Sequence, residues 1–170
     1  MTRLAWSMVF ALVGSCSSSR PALDRATIGL LDYGVPSGWS SRELSTPQRV
    51  MVEWRPDPDD NEHKESLAIL RTDRRAVAKS PPHLKTLLED AQQALPGSKF
   101  DRSIGFTTRH GFRGVRVEGE LVSHGTQYRR IHAVLVDGDG DSLVHVLYTA
   151  RELDRERFEA VVDSFAKKGG

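Results

Sequence analysis

The chain of 170 residues contains one cysteine, Cys16. A lone cysteine excludes an internal disulfide, and its place ahead of any periodic segment excludes a cysteine zinc site or a catalytic thiol in the folded body. Also missing is any run of about 20 apolar residues that would cross a bilayer as a helix. Charge of one sign is scarcely in excess, with 24 Lys and Arg against 23 Asp and Glu. Arg3 is the only charge among the first fifteen residues, so the remainder balances and has no general pull on nucleic acid or anionic lipid. The basic groups Arg71, Arg74, Arg75, Lys79 and the pair Arg129 and Arg130 read as solvated surface. No serine lies in a G-x-S-x-G elbow. The glycines of Gly111-Phe112-Arg113-Gly114 lead into a strand, so they do not open a helix whose amides would cradle phosphate.

What is present begins with the N-terminus. Arg3, the apolar run Leu4 to Val13 and the small residues Gly14 and Ser15 make a signal peptide over residues 1–15. Leu12-Val13-Gly14-Ser15-Cys16 resembles the lipobox of bacterial lipoproteins, with Val13 in place of the commoner leucine. That resemblance implies cleavage just before Cys16, a diacylglycerol on its sulfur and membrane attachment through the lipid. Ser17, where aspartate would retain a lipoprotein at the inner membrane, implies outer-membrane sorting in a bacterium with two membranes. The alternatives are an ordinary secretory signal beside a stray cysteine, or a short uncleaved anchor. Residues 16–27 are polar and aperiodic and read as a flexible tether, leaving 28–166 as one folded domain.

The domain is organised around Gly111 to Ala150, three antiparallel strands in succession. Val115, Val117 and Leu121 alternate with Arg116, Glu118 and Glu120, so one face is buried and the other wet. Ala133 to Val136 and Leu143 to Tyr148 are nearly unbroken apolar runs, which predicts cover on both faces. The Asp-Gly pairs between Asp137 and Asp141 predict a tight type I′ hairpin. Upstream, strands are predicted at 28–33, 49–55, 66–71 and 100–108. A helix is predicted from Ser80 through Leu84, Leu87, Leu88, Ala91 and Leu95 to Pro96. A second helix starts at Asp154 as cap, staples Leu153 to Phe158, and buries Phe158, Val161, Val162 and Phe165, with Lys167 and Lys168 at its negative end. The fold class is therefore α+β, an antiparallel meander packed between helices.

Val35-Pro36-Ser37-Gly38-Trp39, the leucine-rich helix, Leu147-Tyr148-Thr149-Ala150 and the closing Asp163-Ser164-Phe165 resemble the PsbP-like fold over about residues 28–165. Its members include a photosystem extrinsic protein, a Ran-binding import factor and bacterial lipoproteins. The resemblance implies an α/β/α sandwich with a binding or accessory role, and it carries over no catalytic residue set.

Several clusters invite chemistry. Asp137, Asp139 and Asp141 have the spacing that opens a calcium loop, but Tyr148 stands where the closing glutamate is needed, and a solvated hairpin turn accounts for them. His132 and His145 fall on one sheet face as opposite or diagonal neighbours and are two imidazoles of a metal site without a nameable third ligand. His63, His83, His110 and His124 show no zinc spacing. Glu118 and Glu120 are neutralised by Arg129 and Arg130 on the next strand. Trp39, Trp54 and Phe112 either line a small-molecule pocket or belong to the core. No catalytic, cofactor-binding or metal residues are assigned. The expectation is a cell-envelope lipoprotein acting as a non-enzymatic binding or accessory module, its partner an envelope protein or small molecule and not nucleic acid. The alternatives are a hydrolase whose site assembles around His110, His132 or His145, and an anchored spacer. A pocket histidine bonded to both an acid and a hydroxyl would favour the hydrolase.

Overall fold

The computed structural model describes residues 21–45, 49–59, 65–73, 83, 86–89, 99–123 and 125–169. The signal peptide, Cys16 and residues 17–20 of the tether lie outside them, as does most of the predicted Ser80 to Leu95 helix. Of that helix, residues 86–89 are described and are helical, with Leu87 buried.

Among the described residues, besides the helical 86–89, ten strands and a C-terminal helix follow one another as β1 (Leu23–Ile28), β2 (Leu31–Pro36), β3 (Ser40–Glu43), β4 (Val50–Arg55), β5 (Glu65–Asp73), β6 (Lys99–Thr107), β7 (Arg113–Ser123), β8 (Thr126–Val136), β9 (Ser142–Ala150), the helix (Arg155–Asp163) and β10 (Ala166–Lys167). Seven of the strands make one antiparallel sheet in the order β3-β4-β5-β9-β8-β7-β6, and a second sheet has the order β1-β2-β10. The apolar β9 is the middle strand of the larger sheet, which is why both its faces are covered: Val144, Val146 and Tyr148 point one way, Leu143 and His145 the other. One face packs with Ile28, Leu31, Tyr33 and Val35 of the small sheet and with Phe158, Val161, Val162 and Phe165 at the helix. On the other face Val115, Val117, Val134 and Val136 pack with Leu87. Each large aliphatic side chain taken fully out of water contributes roughly 1.5–3 kcal/mol before the entropy of ordering is set against it.

The helix begins where its sequence says it does. Asp154 caps it by accepting the Arg157 N–H at 2.9 Å, and Leu153 packs on the core beside it. Its last turn is fixed by Ser164, whose hydroxyl donates to the Val161 carbonyl and accepts the Gly34 N–H at 2.7 Å. Phe165 is fully buried, stacked on Tyr33 with centroids 5.1 Å apart and tilted against Phe112 at 6.4 Å.

The structure departs from the sequence reading in six places. The expected meander between helices is sheet-dominated: among the described residues a three-stranded sheet and one helix share a face of the large sheet, because the β1–β2 hairpin supplies Ile28, Leu31, Tyr33 and Val35 to that core. The predicted tether is accordingly strand from Leu23 onward, and the predicted strand at 28–33 is the hairpin of β1 and β2, turning at Gly29 with φ +62°. The β8–β9 connection is not a two-residue I′ turn but residues 137–141, closed by the Asp137 carboxylate accepting the Asp141 N–H at 2.8 Å and the Ser142 N–H at 3.3 Å. Lys167 does not serve the helix dipole; it lies in β10 and pairs with Asp137 and Asp139. Arg116, Glu118 and Glu120 are half-buried rather than wet, Arg116 and Glu118 being covered in part by the helix they pair with.

Phe165→Ala should lower stability by about 3–5 kcal/mol, since it empties a ring-sized space between two sheets. Urea unfolding followed by tryptophan fluorescence measures this, and a change near zero would mean that the helix end is not docked.

Candidate functional site

Three groupings of polar side chains stand out, and they lie apart. The first is a groove of about 730 Å³ between the C-terminal helix and the outer strands β6 and β7, walled by Pro21 and Leu23 at the start of β1. Its floor is apolar, with Phe106, Phe158 and Val162. Phe106 lies against Gly114 of the neighbouring strand. A Cβ there would meet the Val134 carbonyl oxygen at 2.5 Å and Phe106 Cζ at 2.8 Å, so a glycine is required for the ring to lie flat. The rim is charged and crossed by ion pairs between the helix and the sheet. Arg116 reaches Glu159 at 2.6 Å, Arg155 reaches Glu118 at 2.8 Å, and Arg109 pairs with Asp163, whose carboxylate also accepts the Arg109 N–H at 2.8 Å. The hydrogen bond from Arg155 holds the Glu118 carboxyl below its ordinary range, with Arg116 and Arg129 adding positive charge nearby, although burial works against them.

The second grouping is the histidine pair, which is on the opposite face of the sheet from the groove. The register sets Val134 against His145 and His132 against Leu147, so the two imidazoles are diagonal neighbours, as expected from sequence. Both are buried, and His132 Nε2 is 3.0 Å from His145 Nδ1, one nitrogen donating and the other accepting. Among the described residues, no group of three or more His, Cys, Asp or Glu side chains is gathered in a way that could hold a metal.

The third is built on Tyr148, whose hydroxyl donates to Glu65 at 2.5 Å. Arg157 donates to the same carboxylate oxygen at 3.0 Å, pairs with Asp154 at 3.2 Å and lies 5.8 Å over the Trp39 ring. Burial pushes the Tyr148 phenol up, and the hydrogen bond to Glu65 and the charge of that carboxylate push it further. This cluster ties the first turn of the helix to β5 and β9.

Of the residues singled out in the sequence, Trp39, Trp54 and Phe112 do not meet around a ligand site. Trp54 donates its indole N–H to Tyr33 at 3.1 Å, Trp39 lies beneath Arg157, and Phe112 packs on Phe165. Glu118 is neutralised chiefly by Arg155 of the helix, while Arg130 turns to the other face and donates to Thr149 at 2.8 Å. Asp137 spends its oxygens on the turn and on Lys167. His83 and His110 are exposed, and His63 and His124 lie outside the described residues. Sequence reasoning missed the groove itself, although one wall was written there: Glu156, Glu159 and Asp163 recur at helical spacing on the stripe beside the buried one.

Tyr148 ionises above its ordinary value of 10, so its contribution to stability is complete below pH 10 and is lost as pH rises through the folded value. Above pH 10 the wild-type protein should therefore lose stability that Tyr148→Phe retains, read as the difference in urea midpoint between the two. Parallel alkaline limbs would show that the phenol titrates as freely folded as unfolded.

No protein-family model matches the chain, and no curated protein matches it either. Solved structures do. LpqN, described as involved in cell envelope biogenesis of Mycobacterium tuberculosis, matches with a TM-score of 0.57 at 13% identity, over 89% of this chain and 87% of LpqN. The Saccharomyces cerevisiae Ran-binding protein Mog1p matches with a TM-score of 0.54 at 14% identity, over 86% and 96%. A Bacteroides thetaiotaomicron protein matches at 0.50 and 10% identity over 82% of this chain, which spans only 45% of that one. At such identities the likeness is one of architecture, and by architecture the chain has the PsbP-like fold.

Proposed function

We propose that the protein is a cell-envelope lipoprotein, anchored through a lipid on Cys16, whose domain is a non-enzymatic binding or accessory module. The observation that carries the binding role is the groove: an apolar floor ringed by fixed charges is the usual form of a recognition site. The anchor reading rests on the residues before Cys16 and is supported by the structural likeness to LpqN, a protein of envelope biogenesis. The groove wall includes Pro21, five positions after Cys16, so the site sits where the chain departs toward its anchor. Serine at position 17 adds the outer membrane of a two-membraned bacterium to the proposal.

Two or more acyl chains on one residue make attachment stable where a single chain is marginal, each buried methylene contributing about 0.8 kcal/mol. In bacteria expressing the protein, radiolabelled palmitate should enter the wild type and not Cys16→Ser. Equal labelling of both would remove the anchor.

A further inference from the structure

We infer that the groove and the outer edge of β6 together form a docking site for an extended peptide, a strand of a partner protein that carries apolar and basic side chains alternately on one face. The inference rests on the binding-module reading and names the class of partner. β6 ends the seven-stranded sheet, and among the described residues no strand pairs with its outer side. Thr108 donates its N–H inward to Phe112 at 2.9 Å. Inward and outward positions alternate along an antiparallel ladder, so Ile104 and Phe106 bond toward β7, whereas Ser103, Gly105 and Thr107 turn their N–H and C=O groups away from it. The register shift between Phe100 and Arg102 breaks the ladder near the start of β6, as edge strands that avoid indiscriminate pairing often do, and leaves 103–107 regular.

The side chains of that regular stretch supply the specificity. Ile104 is 37% exposed, an unusual place for a large aliphatic group, and with Phe106 it faces the groove. A strand added at the usual spacing of about 4.8 Å would set every second side chain beside these two and beneath the helix wall. That wall carries Glu156, Glu159 and Asp163, and the groove's guanidiniums are Arg109 and Arg116, so three carboxylates face two cations and the site is complementary to a basic group. Glu159 and Asp163 are engaged by those arginines, which leaves the exposed Glu156 as the carboxylate best placed to receive it. An acyl chain would use the floor but neither the ladder nor Glu156. A second copy would use the ladder but would bring no matching excess of basic charge.

The test uses full-length protein in phosphatidylcholine nanodiscs and a fluorescein-labelled ten-residue peptide with valine and arginine alternating on one strand face and threonine on the other. Anisotropy should show saturable binding beyond that of empty nanodiscs, and hydrogen exchange should slow at Ser103, Gly105 and Thr107. Ser103→Pro removes an outward N–H at an exposed edge position and should weaken binding about tenfold, the size of one or two ladder bonds, while Ser103→Ala should bind as the wild type does. Glutamate in place of the peptide's arginines, and Glu156→Arg in the protein, should each weaken binding to a similar degree. Equal binding by a peptide N-methylated along its ladder edge would overturn the inference. So would protection of β6 in a dimer without peptide, or slowed exchange confined to the groove floor. Absent palmitate labelling would remove the anchor and leave the peptide result standing; absent peptide binding would do the reverse.

Discussion

The docking of Phe165 between the two sheets is the contact on which the other features depend. Its ring closes against Tyr33 of the small sheet and Phe112 of the β6–β7 turn, and the preceding Ser164 ties the helix end to Gly34. Three segments remote in sequence are joined at this point. Fixing the end of the helix there fixes its distance from β6, and that distance is the width of the groove. Tyr33 is further held by Trp54 through its hydroxyl, so the joint extends into β4. Burial also raises the Tyr33 phenol, consistent with a ring enclosed on all sides.

The ion pairs along the groove have a different role. Arg155 and Glu159 are more than half exposed, as is Arg109, and pairs of that kind contribute about 0–1 kcal/mol each. They cannot hold the helix down against a core contact worth several times more. What they do is set its rotation: Arg116 and Glu118 stand two residues apart on one face of β7, and Glu159 and Arg155 stand one turn apart on the helix, so the two pairs form rungs that fix register. The Tyr148, Glu65 and Arg157 cluster does the same at the first turn of the helix. Apolar burial supplies the affinity between the layers, and the polar pairs select one geometry from those it would permit.

Much of the fold was legible because its signals are local. The alternation in β7, the apolar runs of β8 and β9, the Asp154 cap and the Phe158, Val161, Val162 and Phe165 stripe all act within a few residues of themselves, and each appears where its pattern places it. The diagonal meeting of His132 and His145 was legible too, since any connection with an even number of residues between paired positions keeps them on one face. The second sheet was not, because Leu23 to Thr27 becomes a strand only against β2, and its own composition is polar. The wetness assigned to Arg116 and Glu118 failed for a related reason: charged side chains on a strand predict solvent until a helix of opposite charges settles over them. The groove is the space between such elements, and a space has no residue pattern of its own, although the acidic stripe of Glu156, Glu159 and Asp163 marked one side of it.

The early start of β1 has a consequence for an anchored protein. With the lipid on Cys16 as proposed, only residues 17–22 separate the acylated residue from the first strand, and six residues span at most about 20 Å even when fully drawn out. The domain would then move as a float moored close to the bilayer surface, free to turn but not to rise. A partner in the same membrane would meet the groove in a thin layer rather than in a volume, where its local concentration is raised by confinement alone. Weak recognition would be sufficient there, and a partner dissolved in the surrounding fluid would gain no such help.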